Sequence, residues 1–315
     1  MSKGKVTVLG SNGHFGHAAL LAFRDAGWEV TGLARSNRRP VTGVELIIGD
    51  ANDEAVVRRA IAGADVVVHG LHLPYDQWGN GRAEAQLQVV IDALGHSGKT
   101  LLFPGTIYNY RASDRIVSPQ TRQQHAEAPR GDIRIRLEAM LAAAAEAGRF
   151  QTIILRGGDF FGPDNRGDWF DQAILSKLAG GTIAHLGSLE LRHSWAYLPD
   201  LGRALVVLGE QRGSLARFEN FHFAGHFVSQ GQMMAAISTA LPHRVSIVPL
   251  AWWQLGALGL VNPIMRDIYR MRYLWHNEME LVDPRLDALL GAGFATPFAD
   301  AIAATVAPFL TEKAA

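Results

Sequence analysis

Apolar positions in the first half of the chain follow two periods in turn. Short runs, "KVTVL", "WEVTGLA", "VELIIGD", "ADVVVHG", "TLLFPG" and "QTIILRG", alternate with longer stretches of helical spacing. Phe15, Ala18, Ala19, Ala22 and Phe23 share one helical face, and Gly27 ends that stripe as its C-cap. Asn52 is the expected cap of the following helix, with Asp53 and Glu54 in its first turn. The continuous run "VVV" suits a strand covered on both faces. Six strands joined by helices predict an α/β protein with a Rossmann-like, doubly wound parallel sheet. Residues 1–156 read as a dinucleotide-binding domain, to which a strand near 218–224, "FENFHFAG", returns. Residues 157–315 read as a smaller, mostly helical C-terminal substrate domain. Its last helix starts at Thr296 and Pro297.

Composition narrows the class. Thirty basic residues balance thirty acidic ones, which argues against nucleic acid or a membrane surface as partner. With no cysteine, disulfides, thiolate metal sites and cysteine nucleophiles are excluded. The apolar neighbourhood "PLAWWQLGALGLVNPIM" is broken by Gln254, glycines, Asn262 and Pro263, too short a run to span a bilayer. The first residues lack the apolar length of a secretory signal. A cytoplasmic protein with a small-molecule substrate is expected.

"GSNGHFG" joins the first strand to the first helix, with Gly10, Gly13 and Gly16 three residues apart. A turn would tolerate this pattern. Between a strand and a helix it also suits a phosphate cradle, with amides near Asn12, Gly13, His14 and Phe15 facing a pyrophosphate. The second strand ends "GLARSNRRP", placing Arg35 and Ser36 where an NAD site would put an acid, with Arg38 and Arg39 behind. A guanidinium there suits a 2′-phosphate, so the expected cofactor is NADP rather than NAD. Asp50 is either an adenine contact or a helix cap. Ala51, Gly70 and Leu71, at the ends of the third and fourth strands, complete the expected cofactor contacts.

"VLGSNGHFG", "VVVHGL", "LLFPGTIYNY", "ILRGGDFFGP" and "LRHSWAYLPDLGRAL" follow in an order that resembles the extended short-chain dehydrogenase/reductase family, the NAD(P)-dependent epimerases and dehydratases. The resemblance covers most of the chain. It implies a catalytic Thr at Thr106, a substrate loop around Arg192 and His193, and pairing into a homodimer. The family's Y-x-x-x-K dyad is missing: no tyrosine has a lysine four residues later. Anchoring the helix on Glu138 puts Arg130 at the tyrosine position and Arg134 at the lysine position. The chain is thus identified as an atypical member. Thr106, Tyr108 and Arg134 are the expected catalytic group, converging at the carboxyl ends of the strands. The alternative is a non-catalytic NADP(H)-binding sensor or regulator, with Tyr108 only packing under the substrate loop. Arg192 suits a substrate phosphate or carboxylate, or else a structural ion pair. His69 and His72 leave a strand without a nearby carboxylate, so no metal is expected. The tail aromatics Trp252, Trp253, Tyr269, Tyr273 and Trp275 line an apolar pocket or belong to core or an oligomer interface.

Overall fold

The computed structural model describes residues 3–74, 77–123, 126–163 and 167–311. The first half runs β1 (Lys5–Leu9), α1 (His14–Asp25), β2 (Glu29–Ala34), β3 (Glu45–Ile48), α2 (Glu54–Ile61), β4 (Val66–His69), α3 (Arg82–Leu94), β5 (Thr100–Gly105), the short β6 (Ile116–Val117), α4 (Pro129–Glu146) and β7 (Gln151–Arg156). Then come β8 (Asp159–Phe161), β9 (Thr182–His185), β10 (Arg192–Tyr197), α5 (Leu198–Gln211), β11 (Phe218–His222), β12 (His226–Ser229) and α6 (Gln230–Ala240). The chain ends β13 (Ser246–Pro249), α7 (Trp252–Leu258), α8 (Pro263–Arg270), β14 (Glu280–Leu281), α9 (Pro284–Leu290) and α10 (Phe298–Thr311).

Seven parallel strands form one sheet in the order β11-β7-β5-β4-β1-β2-β3. β11 lies parallel to β7 at the edge, with Phe218 opposite Thr152. Successive side chains of a strand point to opposite faces. Val66 and Val68 therefore pack with α1 and α5, whereas Val67 packs with α2, α3 and α4. This double burial explains the unbroken apolar runs. A third core holds Phe161, Phe170, Trp195 and Trp275 with side chains of α6 and α10, under the later half of the chain.

Helix ends follow local chemistry. Asp53, not Asn52, caps α2, its carboxylate accepting from the amides of Ala55 and Val56. Asn52 instead donates to Asp50. α1 closes at Ala26, and Gly27 takes the left-handed conformation one residue later. Chain order reverses between β1 and β4, which lie side by side. Loops leaving neighbouring strands at such a point splay apart and open a crevice.

Candidate active site

The crevice is a cavity of about 420 Å³ lined by Gly10, Asn12 and Gly13 after β1, Arg35, Ser36 and Arg38 after β2, and Gly70 to Pro74 after β4. Gly10 has φ +78, and a Cβ there would meet the Gly70 carbonyl at 2.5 Å. Only glycine lets the two loops approach so closely. A Cβ on Gly13 would make only contacts of 3.4 and 3.6 Å, so packing does not demand that glycine. It lines the open cleft at the start of α1. The Gly13 amide is engaged by the Gly10 carbonyl at 3.0 Å, which differs from the sequence expectation. First-turn amides lack intrahelical acceptors, so those of His14, Phe15 and Gly16 are the ones available to an anion. The Asn12 side chain donates to the Ser36 carbonyl at 2.7 Å, tying the glycine loop to the basic turn. Glycine cradle, helix N-terminus and arginines together fit a phosphate-bearing dinucleotide.

Asp50, Ala51 and Leu71 line the same cavity. The side chains of His14 and Phe15 do not: His14 meets Asp168 at 3.2 Å, and Phe15 stacks on Phe160. Arg39 faces a separate groove between α1 and α5.

A buried polar frame holds the turn after β5. Arg156, fully buried, donates to Glu138 Oε2 at 2.6 Å and to the Thr106 carbonyl at 2.5 Å. Asn109 and Gln123 also donate to Glu138, each at 2.9 Å. His222 Nε2 lies 3.1 Å from the Tyr110 hydroxyl and 3.3 Å from Arg156 Nε, while Nδ1 faces the Val117 carbonyl at 3.2 Å. Burial, helped by the Arg156 charge, pushes His222 down to about 3, so it stays neutral. With Nδ1–H donating to Val117, Nε2 is the acceptor. Gly131 completes the frame: a Cβ there would lie 2.1 Å from the Tyr108 carbonyl, so α4 packs on this turn only through glycine.

The frame aims Tyr108 outward. Its hydroxyl donates to Asp159 Oδ1 at 3.2 Å, and Asp159 Oδ2 meets His193 Nε2 at 2.7 Å. His193 is buried against Trp275, with ring centres 4.1 Å apart. Thr106, Tyr108, Arg134 and Asp159 line one small cavity of about 80 Å³. His72 lines both this cavity and the cofactor cleft, joining them. The Arg134 guanidinium lies 4.7 Å over the Trp78 ring and donates to the Pro104 carbonyl at 3.3 Å. Burial and then the Arg134 charge lower His72 to about 4 and His69 to about 3. Both imidazoles are therefore neutral around the cleft at pH 7. Among the described residues no group of acidic and histidine side chains is arranged to hold a metal.

The structure thus brings the expected catalytic group together around one cavity. It separates the expected substrate pair from the cleft. Arg192 starts β10, bonded to Glu278 at 3.2 Å and lying over Phe227, while His193 reaches the site only through Asp159. Sequence reading missed Asp159, Asp168 and Trp169, which lie in or near an irregular loop. The one available signal was the acid inside "GGDFFGP".

The family model described as "NAD dependent epimerase/dehydratase family" matches residues 6–221. Solved structures share the fold across nearly the whole chain. A UDP-glucose 4-epimerase superposes with a TM-score of 0.77 at 12% identity, covering 98% of each chain. MoeE5, solved in complex with UDP-glucose and NAD, gives 0.76 at 18% identity over 99% of this chain and 100% of its own. The Bordetella bronchiseptica enzyme WbmH, in complex with NAD+, gives 0.73 at 18% identity over 98% of each. No curated protein matches the sequence. Among the described residues no helix is long and apolar enough to cross a membrane.

Proposed function

The chain belongs to the NAD dependent epimerase/dehydratase family, and from that premise we propose that it is an NADP-dependent oxidoreductase or epimerase-like enzyme acting on a small carbonyl, alcohol or sugar-derived substrate. The observation that carries this reading is the Tyr108 hydroxyl. It sits in a cavity that opens into the dinucleotide cleft and is oriented by the Asp159 carboxylate at 3.2 Å.

When bound, a nicotinamide cofactor supplies or accepts hydride. Tyr108 then gives a proton to the carbonyl oxygen, or takes one from the alcohol. A phenol ordinarily titrates near pH 10 and is a ready proton donor at neutral pH; as a base it needs a nearby cation. The family's lysine is absent, and Arg134 is a cation lining the Tyr108 cavity. Asp159 and His193 hold the hydroxyl in place. Arg134 supplies fixed positive charge beside the reacting oxygen, without shuttling protons itself. For the cofactor, Arg35 and Arg38 flank Ser36 at the end of β2, a pairing that favours a 2′-phosphate over a free hydroxyl.

Calorimetry with NADPH and NADH, followed by NADPH oxidation across a panel of carbonyl compounds, tests the proposal. Tighter NADPH binding and turnover that collapses in Tyr108→Phe are expected. Tight NADPH binding with no turnover of any compound would favour the sensor instead.

A further inference from the structure

Next to Tyr108 lies a second cavity, of about 290 Å³, near the lower size of small-molecule sites. Tyr108, Asp168 and Trp169 line both it and the small catalytic cavity, so the two are continuous. Its far wall consists of Leu250, Leu255, Ile264, Met265, Ile268 and Met271. On α8, Ile264, Met265 and Ile268 recur at helical spacing on one face. Such a face is normally buried against core, yet neither α7 nor α8 has a buried side chain. The hairpin thus keeps an apolar wall partly open beside the proton donor.

Among the described residues the charge pattern favours an uncharged ligand body over a diphosphate. Among the described residues, the one basic side chain lining this cavity is Arg130, and it faces the Asp267 carboxylate at 3.9 Å. Asp168 adds a carboxylate on the near side. Among the described residues, two anionic phosphates placed there would lose water and gain only Arg130, already facing a carboxylate. We propose that the substrate carries an apolar alkyl or aryl body, held under the α7–α8 hairpin, with its carbonyl or alcohol carbon at Tyr108. This rests on the oxidoreductase reading for the reaction but on the pocket alone for binding.

The test is calorimetric titration of the NADPH-loaded protein with methyl ketones from about four to about ten carbons, and with UDP-glucose. Affinity is expected to tighten about fourfold per added methylene until the cavity is full. Ile268→Asn and Met265→Gln should each flatten that gradient while leaving NADPH affinity, which reports folding, unchanged. A flat gradient in the unmodified protein, or UDP-glucose binding more tightly than every ketone, overturns the proposal. A clear gradient without any NADPH oxidation supports the apolar pocket and counts against the enzymatic reading, so the two failures are distinct.

Discussion

The cofactor cleft is lined by glycines and mostly polar residues of the loops after β1 to β4, whereas the far wall of the neighbouring pocket is apolar side chains from late in the chain. The first is shaped by a rigid sheet on which strand register fixes each loop. The second is shaped by a hairpin with no buried side chain of its own. Backbone amides and glycines can hold the pyrophosphate of a constant ligand without particular side chains. A site made of half-buried side chains can be re-lined without disturbing the sheet. The difference teaches where this fold keeps its constant chemistry and where it is free to change specificity. Tyr108 stands at the border, and its setting by Arg156, Glu138 and Gly131 belongs to the rigid side.

The strongest way to break the comparison is at that border. Tyr108→Phe should lower turnover by roughly 10²- to 10⁴-fold, the range of general acid catalysis, with NADPH affinity unchanged. Unchanged turnover on a genuine substrate would remove Tyr108 from the chemistry.

The rigid side is probed by Glu138→Gln, which leaves Arg156 fully buried without its counter-charge. A loss of about 3–5 kcal/mol in denaturant unfolding is expected. A much smaller loss would mean that the frame does not hold the turn.

Within the cofactor cleft, Arg35→Ala should weaken NADPH binding roughly ten- to hundredfold, the worth of a charge-assisted hydrogen bond, and leave NADH nearly untouched. Equal losses for both would assign Arg35 to general phosphate attraction.

The smallest effect, taken per residue, is on stability against pH. His69, His72 and His222 have folded values of about 3, 4 and 3, below the ordinary 6.5. The unfolded chain binds protons first, so stability is full above pH 6.5 and falls as pH drops towards those lower values. Each histidine contributes up to about 1.4 kcal/mol per pH unit in that window. Unfolding midpoints measured at pH 7 and 5.5 should show the decline, and His69→Phe should make it shallower. A flat profile would contradict neutral burial.

Legibility in the sequence tracks how local each determinant is. The six strands were readable from apolar and β-branched runs, densest where both sheet faces are covered as in β4, and the seventh from "FENFHFAG", whose Glu219 and Asn220 suit a sheet edge. The glycine loop was readable because close approach of two loops admits no Cβ at Gly10. The cap of α2 was placed one residue early, since Asn and Asp both cap well and only geometry chooses between them. Arg192 reads from its motif as either a substrate contact or half of a structural ion pair, and the acid it pairs with, Glu278, lies 86 residues away.

The sequence by itself determined the parallel sheet, the cradle between β1 and α1, and the absence of the tyrosine–lysine dyad. Periodicity, glycine sterics and residue spacing are local properties of the chain. Only the tertiary structure decided that Tyr108 meets Asp159, 51 residues on, and that α8 walls an apolar space beside it. Those contacts depend on where distant segments pack, and packing of half-buried faces leaves no periodic mark that says which neighbour they meet.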